Sequence, residues 1–244
     1  MENLVKSSDG SYTLFSEKFG EHYHSPKDGA LSEALYKHII PALSIQKKEK
    51  LQILDINFGL GFNTFTTLYS LLNSDVEVEI HSPEIDRELV ETLSNFPYPK
   101  IFEPLREIIV SIAENGKYES ESKRIYVHFK DSRDFLKEYD GQKFNIVYQD
   151  AFSPKISPSL WTVEYFKLLK SRMTCDAVLT TYSTSTPVRL GMYENGFRIY
   201  TYKHEKVREG TIASTQKLSG LIEIDMEWKK ESSSKGKSFR DSLI

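Results

Sequence analysis

Four carboxylates stand at or beside the ends of apolar, strand-like runs. Asp55 accompanies Leu51, Ile53, Leu54 and Ile56; Glu84 follows Val76, Val78 and Ile80; Asp131 follows the alternating stretch 124–130; Asp150 follows 144–148. A carboxylate in such a place can hold hydroxyls, accept a hydrogen bond from an amino group, or orient and take a proton. Just past Asp55 come Asn57, Gly59 and Gly61, then Asn63 at the start of a helical pattern through Phe65, Leu68, Leu71 and Leu72. Glycines there permit a tight turn and a close backbone approach to a ligand. Strand, glycine turn and helix in that order is the context that a nucleotide-binding loop requires. An acidic residue roughly 20 to 30 positions past the turn, at the end of the second strand, is where a ribose diol is held. Glu84 is the first choice and Asp86 the second, although Asp86 also suits the N-cap of the helix through Leu89 and Leu93. Asp131 either caps the next helix or accepts from an adenine amino group. Asp150 opens the stretch Asp150-Ala-Phe-Ser-Pro-Lys155, which Pro154 and Pro158 stiffen before a helix bearing Trp161, Tyr165, Phe166 and Leu169.

The elements that must position these groups follow from apolar periodicity. Strands are expected near 51–56, 76–80, 124–130, 144–148, 177–182, 197–202 and 211–214, the last two as an antiparallel pair. Helices fall between most of them, including 105–113 and 186–195. Strands alternating with helices predict an α/β fold, a seven-stranded and mostly parallel sheet with helices on both faces. In such sheets ligands bind outside the carboxyl ends of the strands, at the topological switch point. Each carboxylate alone has a helix-cap reading, but four at four consecutive strand ends favour a shared site. Residues 1–48 read as a small N-terminal cap, with a helical stripe from Ala30 through Ile39 that Pro41 ends or kinks. Residues 49–228 read as the main domain, with a charged loop at 203–210. Residues 229–244 read as a mobile tail, from which Phe239-Arg-Asp241 can dock back.

Composition bounds the function. The chain has 244 residues, 39% hydrophobic and 27% charged, with a formal net charge of −3, which carries no global basic signature. Nucleic-acid binding would therefore need a local basic face. Lys155, Lys167, Lys170, Arg172, Arg189, Lys203, Lys206 and Arg208 supply one in sequence, with a solvated surface as the bland alternative. No apolar run approaches the roughly 20 residues that span a bilayer, and no signal-peptide core opens the chain. A single cysteine, Cys175, leaves no intrachain disulfide or multi-cysteine metal site. His22 and His24 lack a third ligand nearby, so no metal is expected. A cytoplasmic location fits.

Asp55-x-x-x-Gly59-x-Gly61 with Glu84, Asp131 and Asp150 resembles the class I S-adenosylmethionine-dependent methyltransferases, which have a Rossmann-like fold. The stretches 15–25 and Asp150 to Lys155 with Pro158 and Trp161 are similar to the tRNA 5-aminomethyl-2-thiouridine methyltransferase family. So are Val188-Arg-Leu-Gly191 with Gly196-Phe197, and Arg208-Glu209. The resemblance spans about Leu14 to Ala213. Asn57 departs from it, standing where glycine is usual, and so does Cys175-Asp176, standing for Gly-Gly. Asparagine tolerates positive φ better than most residues.

The resemblance implies S-adenosyl-L-methionine as cofactor, held by Tyr23, Asp55, Asn57, Gly59, Gly61, Asn63, Glu84, Asp131 and Asp150. It implies tRNA, at the anticodon stem-loop, as partner, and N-methylation of an aminomethyl group on the wobble uridine. It also implies the stand-alone form, without an appended oxidase domain. Asp150 and Tyr182 are the catalytic candidates; Phe152, Lys155, Trp161, Arg189, Lys206 and Arg208 are the substrate candidates. For Tyr23 and Tyr182, plain packing is the alternative. An alkylamine titrates near the lysine value of about 10.4, so it arrives mostly protonated. Asp150 favours that charge while burial opposes it, which suggests orientation first and proton acceptance second. A small-molecule amine methyltransferase, an aminopropyltransferase, or a catalytically silent binding module are the competing readings.

Overall fold

The computed structural model describes residues 3–244. A small antiparallel sheet comes first: β1 (Leu4–Lys6), β2 (Tyr12–Ser16) and β3 (Glu21–His22), in that order. Helix α1 (Ala30–Glu33) passes through a π-helical stretch, Ala34–Ile39, into α2 (Ile40–Ile45). Pro41 therefore does not end the helix. It sits in the first turn of α2, where its missing N–H costs little, and the wide turn before it takes up the irregularity.

The main sheet is then built by β4 (Lys50–Ile56), α3 (Phe62–Ser70), β5 (Glu77–Glu84), α4 (Arg87–Thr92), α5 (Arg106–Asn115), β6 (Lys117–Glu119) and β7 (Lys123–Phe129). After it come α6 (Ser132–Glu138), β8 (Phe144–Gln149), α7 (Val163–Ser171), β9 (Met173–Thr181), α8 (Thr186–Tyr193), β10 (Arg198–His204), β11 (Val207–Ser214), β12 (Ile222–Glu223) and α9 (Met226–Ser232).

The strand order is β12-β10-β11-β9-β8-β4-β5-β7-β6. β4 pairs in parallel with β5 on one side and β8 on the other, so the chain reverses its direction of growth between β4 and β8. That gap is the topological switch point. Side chains of β4 alternate between two cores: Leu51 and Ile53 join the layer of α3 and α5, while Leu54 and Ile56 join that of α6, α7 and α8. The Rossmann-like α/β class is as expected, but among the described residues the sheet has nine strands rather than seven. The additional strands, β6 and β12, are edge pieces of three and two residues, too short to show periodicity. The charged loop expected at 203–210 is largely strand, because β10 and β11 close at a turn over Glu205 and Lys206.

The expected domain boundary at Lys229 falls inside α9. Beyond it, Arg133 grips Asp241 through two bonds (2.8 and 2.6 Å), and Val163 N–H donates to the Phe239 carbonyl at 3.0 Å. No helix among the described residues is long and apolar enough to cross a membrane.

Candidate active site

β4 delivers the chain into the turn at Asn57, whose φ is 62°, with Gly59 at 53° and Gly61 at 70°. Three left-handed residues in five fold the backbone tightly over the strand end, and asparagine tolerates the first of these positions. The Asn57 amide oxygen accepts from the Ser132 hydroxyl at 2.8 Å, which ties this turn to the start of α6. Gly59 is open for a second reason. A Cβ there would lie 3.2 Å from the Tyr23 ring, so the cap packs directly on the glycine backbone.

The turn, the cap and the loop after β8 enclose a cavity of about 570 Å³ at the carboxyl edge of the sheet. Its walls carry five carboxylates (Glu21, Glu33, Glu84, Asp131, Asp150) against one arginine, Arg208. Glu84 is buried; its two oxygens accept from Gly59 N–H and Asp86 N–H, both at 2.8 Å. Burial raises its pKa against the pull of those two amides. Each oxygen keeps a second lone pair for a diol. Asp131 caps α6 through Arg133 and Asp134 N–H and still lines the cavity. Asp86 caps α4 at Leu89 N–H.

Asp150 lies at the switch point. One oxygen accepts from the Asn63 amide at 2.9 Å; the other is 3.6 Å from His38 Nε2. Burial works to raise its pKa, but His38, His24 and the Asn63 amide outweigh it and hold the carboxyl well below the usual range. Asp55 is different. It is buried behind the cavity wall, where it accepts from Thr64 Oγ1 at 2.8 Å and Asn63 Nδ2 at 3.3 Å. Burial lifts its pKa to about 7 despite those donors, with Asp150 adding to the rise. Asp55 therefore positions Asn63 and does not line the cavity. Asn63 Nδ2 bridges both aspartates, and the buried Asn63 Oδ1 has no partner among the described residues.

Tyr23 and Tyr182 are both on the wall. Burial raises the Tyr23 hydroxyl pKa, with Glu84 and Asp86 adding to it. Tyr182 donates to the Ala151 carbonyl at 3.0 Å and is raised mainly by burial. Phe152 lines the cavity and packs on Phe19 and Tyr23, with ring centroids 4.8 and 5.2 Å away.

Two substrate candidates are placed elsewhere. Trp161 is fully buried and donates Nε1–H to the Phe152 carbonyl at 2.8 Å, so it pins the loop and touches no ligand space. Arg189 is buried, paired with Glu209 at 3.1 Å and Thr211 at 2.9 Å, so its guanidinium is not offered to phosphate. The basic cluster also disperses, because Arg172 donates to the Leu136 and Lys137 carbonyls near the far end of α7. Lys155 is exposed on the loop after β8. Lys206 is exposed at the hairpin turn, 3.0 Å from the Tyr36 hydroxyl. Arg208 is at the cavity and bonds Asp28 at 2.9 Å, its side chain 66% exposed.

Sequence reasoning missed His38, Glu21 and Glu33. His38 reads only as part of an apolar helical stripe. Glu21 on β3 accepts from Ser153 N–H at 3.2 Å, and Glu33 accepts from Ser25 N–H at 2.7 Å. No group of three metal-ligating side chains occurs among the described residues.

Comparison with known proteins adds to this geometry. A family model described as S-adenosyl-L-methionine-dependent methyltransferase matches residues 98–216. The crystal structure of MnmC2 from Aquifex aeolicus superposes with a TM-score of 0.87 at 31% identity, covering 99% of this chain and 79% of that one. An uncharacterized protein of Methanocaldococcus jannaschii is 34% identical over 197 residues, 80% of this chain and 54% of the relative. The tRNA 5-methylaminomethyl-2-thiouridine biosynthesis bifunctional protein MnmC of Azoarcus sp. is 27% identical over 215 residues, 81% of this chain and 33% of the relative. The chain thus spans about half the length of the first of these relatives and a third of the second. Spermidine synthase of Thermotoga maritima, at 14% identity and a TM-score of 0.52, shares the fold alone.

Proposed function

Because the chain belongs to the S-adenosyl-L-methionine-dependent methyltransferase family that includes MnmC2, we propose that it N-methylates an aminomethyl group on the wobble uridine of tRNA. The residues fit the cofactor: Glu84 retains lone pairs for a ribose diol, Gly59 lines the cavity with no side chain of its own, and Asn63 Oδ1 lacks a donor among the described residues. Glu84, the glycine turn, Asp131 and Tyr23 would hold it. When bound, it supplies an electrophilic methyl group on a sulfonium.

The observation that carries the reading is Asp150, an ionised carboxylate on the wall of an acidic cavity. Such a cavity suits a substrate that arrives as a cation, and Asp150 aligns its nitrogen. Holding both reactants in line supplies much of the rate in such a transfer. Phe152, close to Asp150 in the chain and packed at a tilt against Tyr23, gives a nucleobase an aromatic wall. Lys203, Lys206 and Arg208 provide positive charge for phosphates outside an acidic pocket.

The test is mass spectrometry of nucleosides from tRNA bearing 5-aminomethyl-2-thiouridine, incubated with protein and cofactor. The expected product is the methylaminomethyl nucleoside. Equal activity on the free aminomethyluridine nucleoside at matched concentration would replace tRNA with a small-molecule amine as substrate.

A further inference from the structure

His38 is a titratable group inside the core, 1% exposed, that the fold alone gives no reason to bury. It lies in the π-helical stretch, where Lys37, His38 and Ile39 are all buried in succession. Such widened turns are frequent at functional sites. Lys37 goes to Asp28 and Glu33. His38 goes the other way: Nδ1 is 2.9 Å from Thr180 Oγ1, and Nε2 faces Asp150 Oδ1 at 3.6 Å. The Tyr148 ring meets it edge to face at 5.8 Å.

Asp150 therefore has one neighbour on each oxygen. Asn63 only donates through its amide nitrogen. His38 is the one that can also accept. We propose that His38 is the resting place of the proton that the substrate ammonium must lose, delivered through Asp150. This rests on the reading above that the substrate is an alkylamine.

The bookkeeping is simple. An N–H bond of the ammonium breaks and its electron pair stays on nitrogen. The proton passes to Asp150, and Asp150 yields a proton to the Nε2 lone pair of neutral His38. The imidazolium keeps its Nδ1–H on Thr180 Oγ1. Asp150 ends as it began, a carboxylate, and still holds the amine. Once methylated, the nitrogen is cationic again, and the His38 proton returns to solvent by way of Asp150. Besides Asp150, the groups whose charges reach His38 are Asp55 and His24, with Tyr148 against its ring and Glu33 and Lys37 on its own helix. Burial lowers the His24 pKa, with Asp150 and Glu33 opposing it.

The test compares pH–rate profiles at saturating cofactor for wild type and His38→Gln. Without its proton acceptor the variant must wait for free amine, so its rate should climb about tenfold per pH unit toward the amine value near 10.4. Its deficit against wild type, about a hundredfold at pH 7, should close by about pH 9 at that slope. A deficit constant across pH would mean a merely structural histidine and would overturn the proposal. Should His38→Gln fail to fold, Thr180→Val, which removes the partner of Nδ1, is held to the same criterion. A second readout needs no substrate: nitrogen NMR of histidine-labelled free protein should find His38 neutral with its proton on Nδ1. A proton on Nε2 would overturn the relay. Absence of any tRNA methylation by wild type would fail the functional reading alone, since the NMR result stands apart from it.

Discussion

Among single residues, Asp55 and Asp150 divide a labour that their shared position at strand ends conceals. Asp150 is on the cavity wall beside two histidines, and its carboxyl is held ionised. Asp55 is sealed behind it, and burial raises its pKa to about 7. That rise has a definite sign in stability. Between the unfolded value of about 3.9 and about 7, native Asp55 keeps a proton that the unfolded chain has lost. The unfolded state therefore binds fewer protons, and this group's contribution falls as pH rises through that window. Asp55→Asn removes the titration. Urea unfolding at pH 5 and pH 8 should show wild type losing on the order of 2–4 kcal/mol relative to the variant over that interval. Parallel pH dependence in the two proteins would place the ionisation of Asp55 in its ordinary range.

The glycine turn shows how an element sets the reach of its residues. Gly61 caps α3 with φ at 70°, and a Cβ there would lie 2.5 Å from the Phe65 ring and 2.9 Å from Phe58. Gly61→Ala meets both a left-handed strain and a clash in the aromatic layer below. A loss of about 2–4 kcal/mol in unfolding free energy is expected, together with weaker cofactor binding because Asn63 shifts with the helix start. A calorimetric titration showing cofactor affinity unchanged in a folded Gly61→Ala protein would separate the turn from Asn63 placement. The π-helical stretch is the second such element. It carries Lys37 toward the ion pairs at the cap and His38 toward the switch point.

For the molecule as a whole, a net charge of −3 means that affinity for a polyanion must come from a local surface. The hairpin of β10 and β11 provides it, with Lys203 exposed by 75% and Lys206 at the turn, beside the Arg208 end of the cavity. On the proposed tRNA reading, affinity should fall log-linearly with salt as condensed counterions are released. Lys203→Glu with Lys206→Glu should flatten that slope by about 1.5 and leave cofactor affinity intact. An unchanged slope in fluorescence binding titrations would move the RNA face off this hairpin.

The parts of this protein legible in its sequence are those set by short-range rules. Alternation in β4 and the glycine spacing after it predict a βα turn with a ligand site. Glu84 follows because the second strand of such a unit must end beside that turn. The nine strands were not all legible, since β6 and β12 exist only through pairing with β7 and β10. Nor were the fates of Trp161 and Arg189. Both carry groups typical of binding sites, and only packing shows those groups already satisfied by Phe152, Glu209 and Thr211. His38 is the converse case: a histidine in an apolar stripe reads as core until the fold brings β8, β9 and the cap around it. Local pattern decides which residues face inward. What an inward-facing polar group meets there depends on chain segments far away in sequence, and that was decided by the tertiary structure.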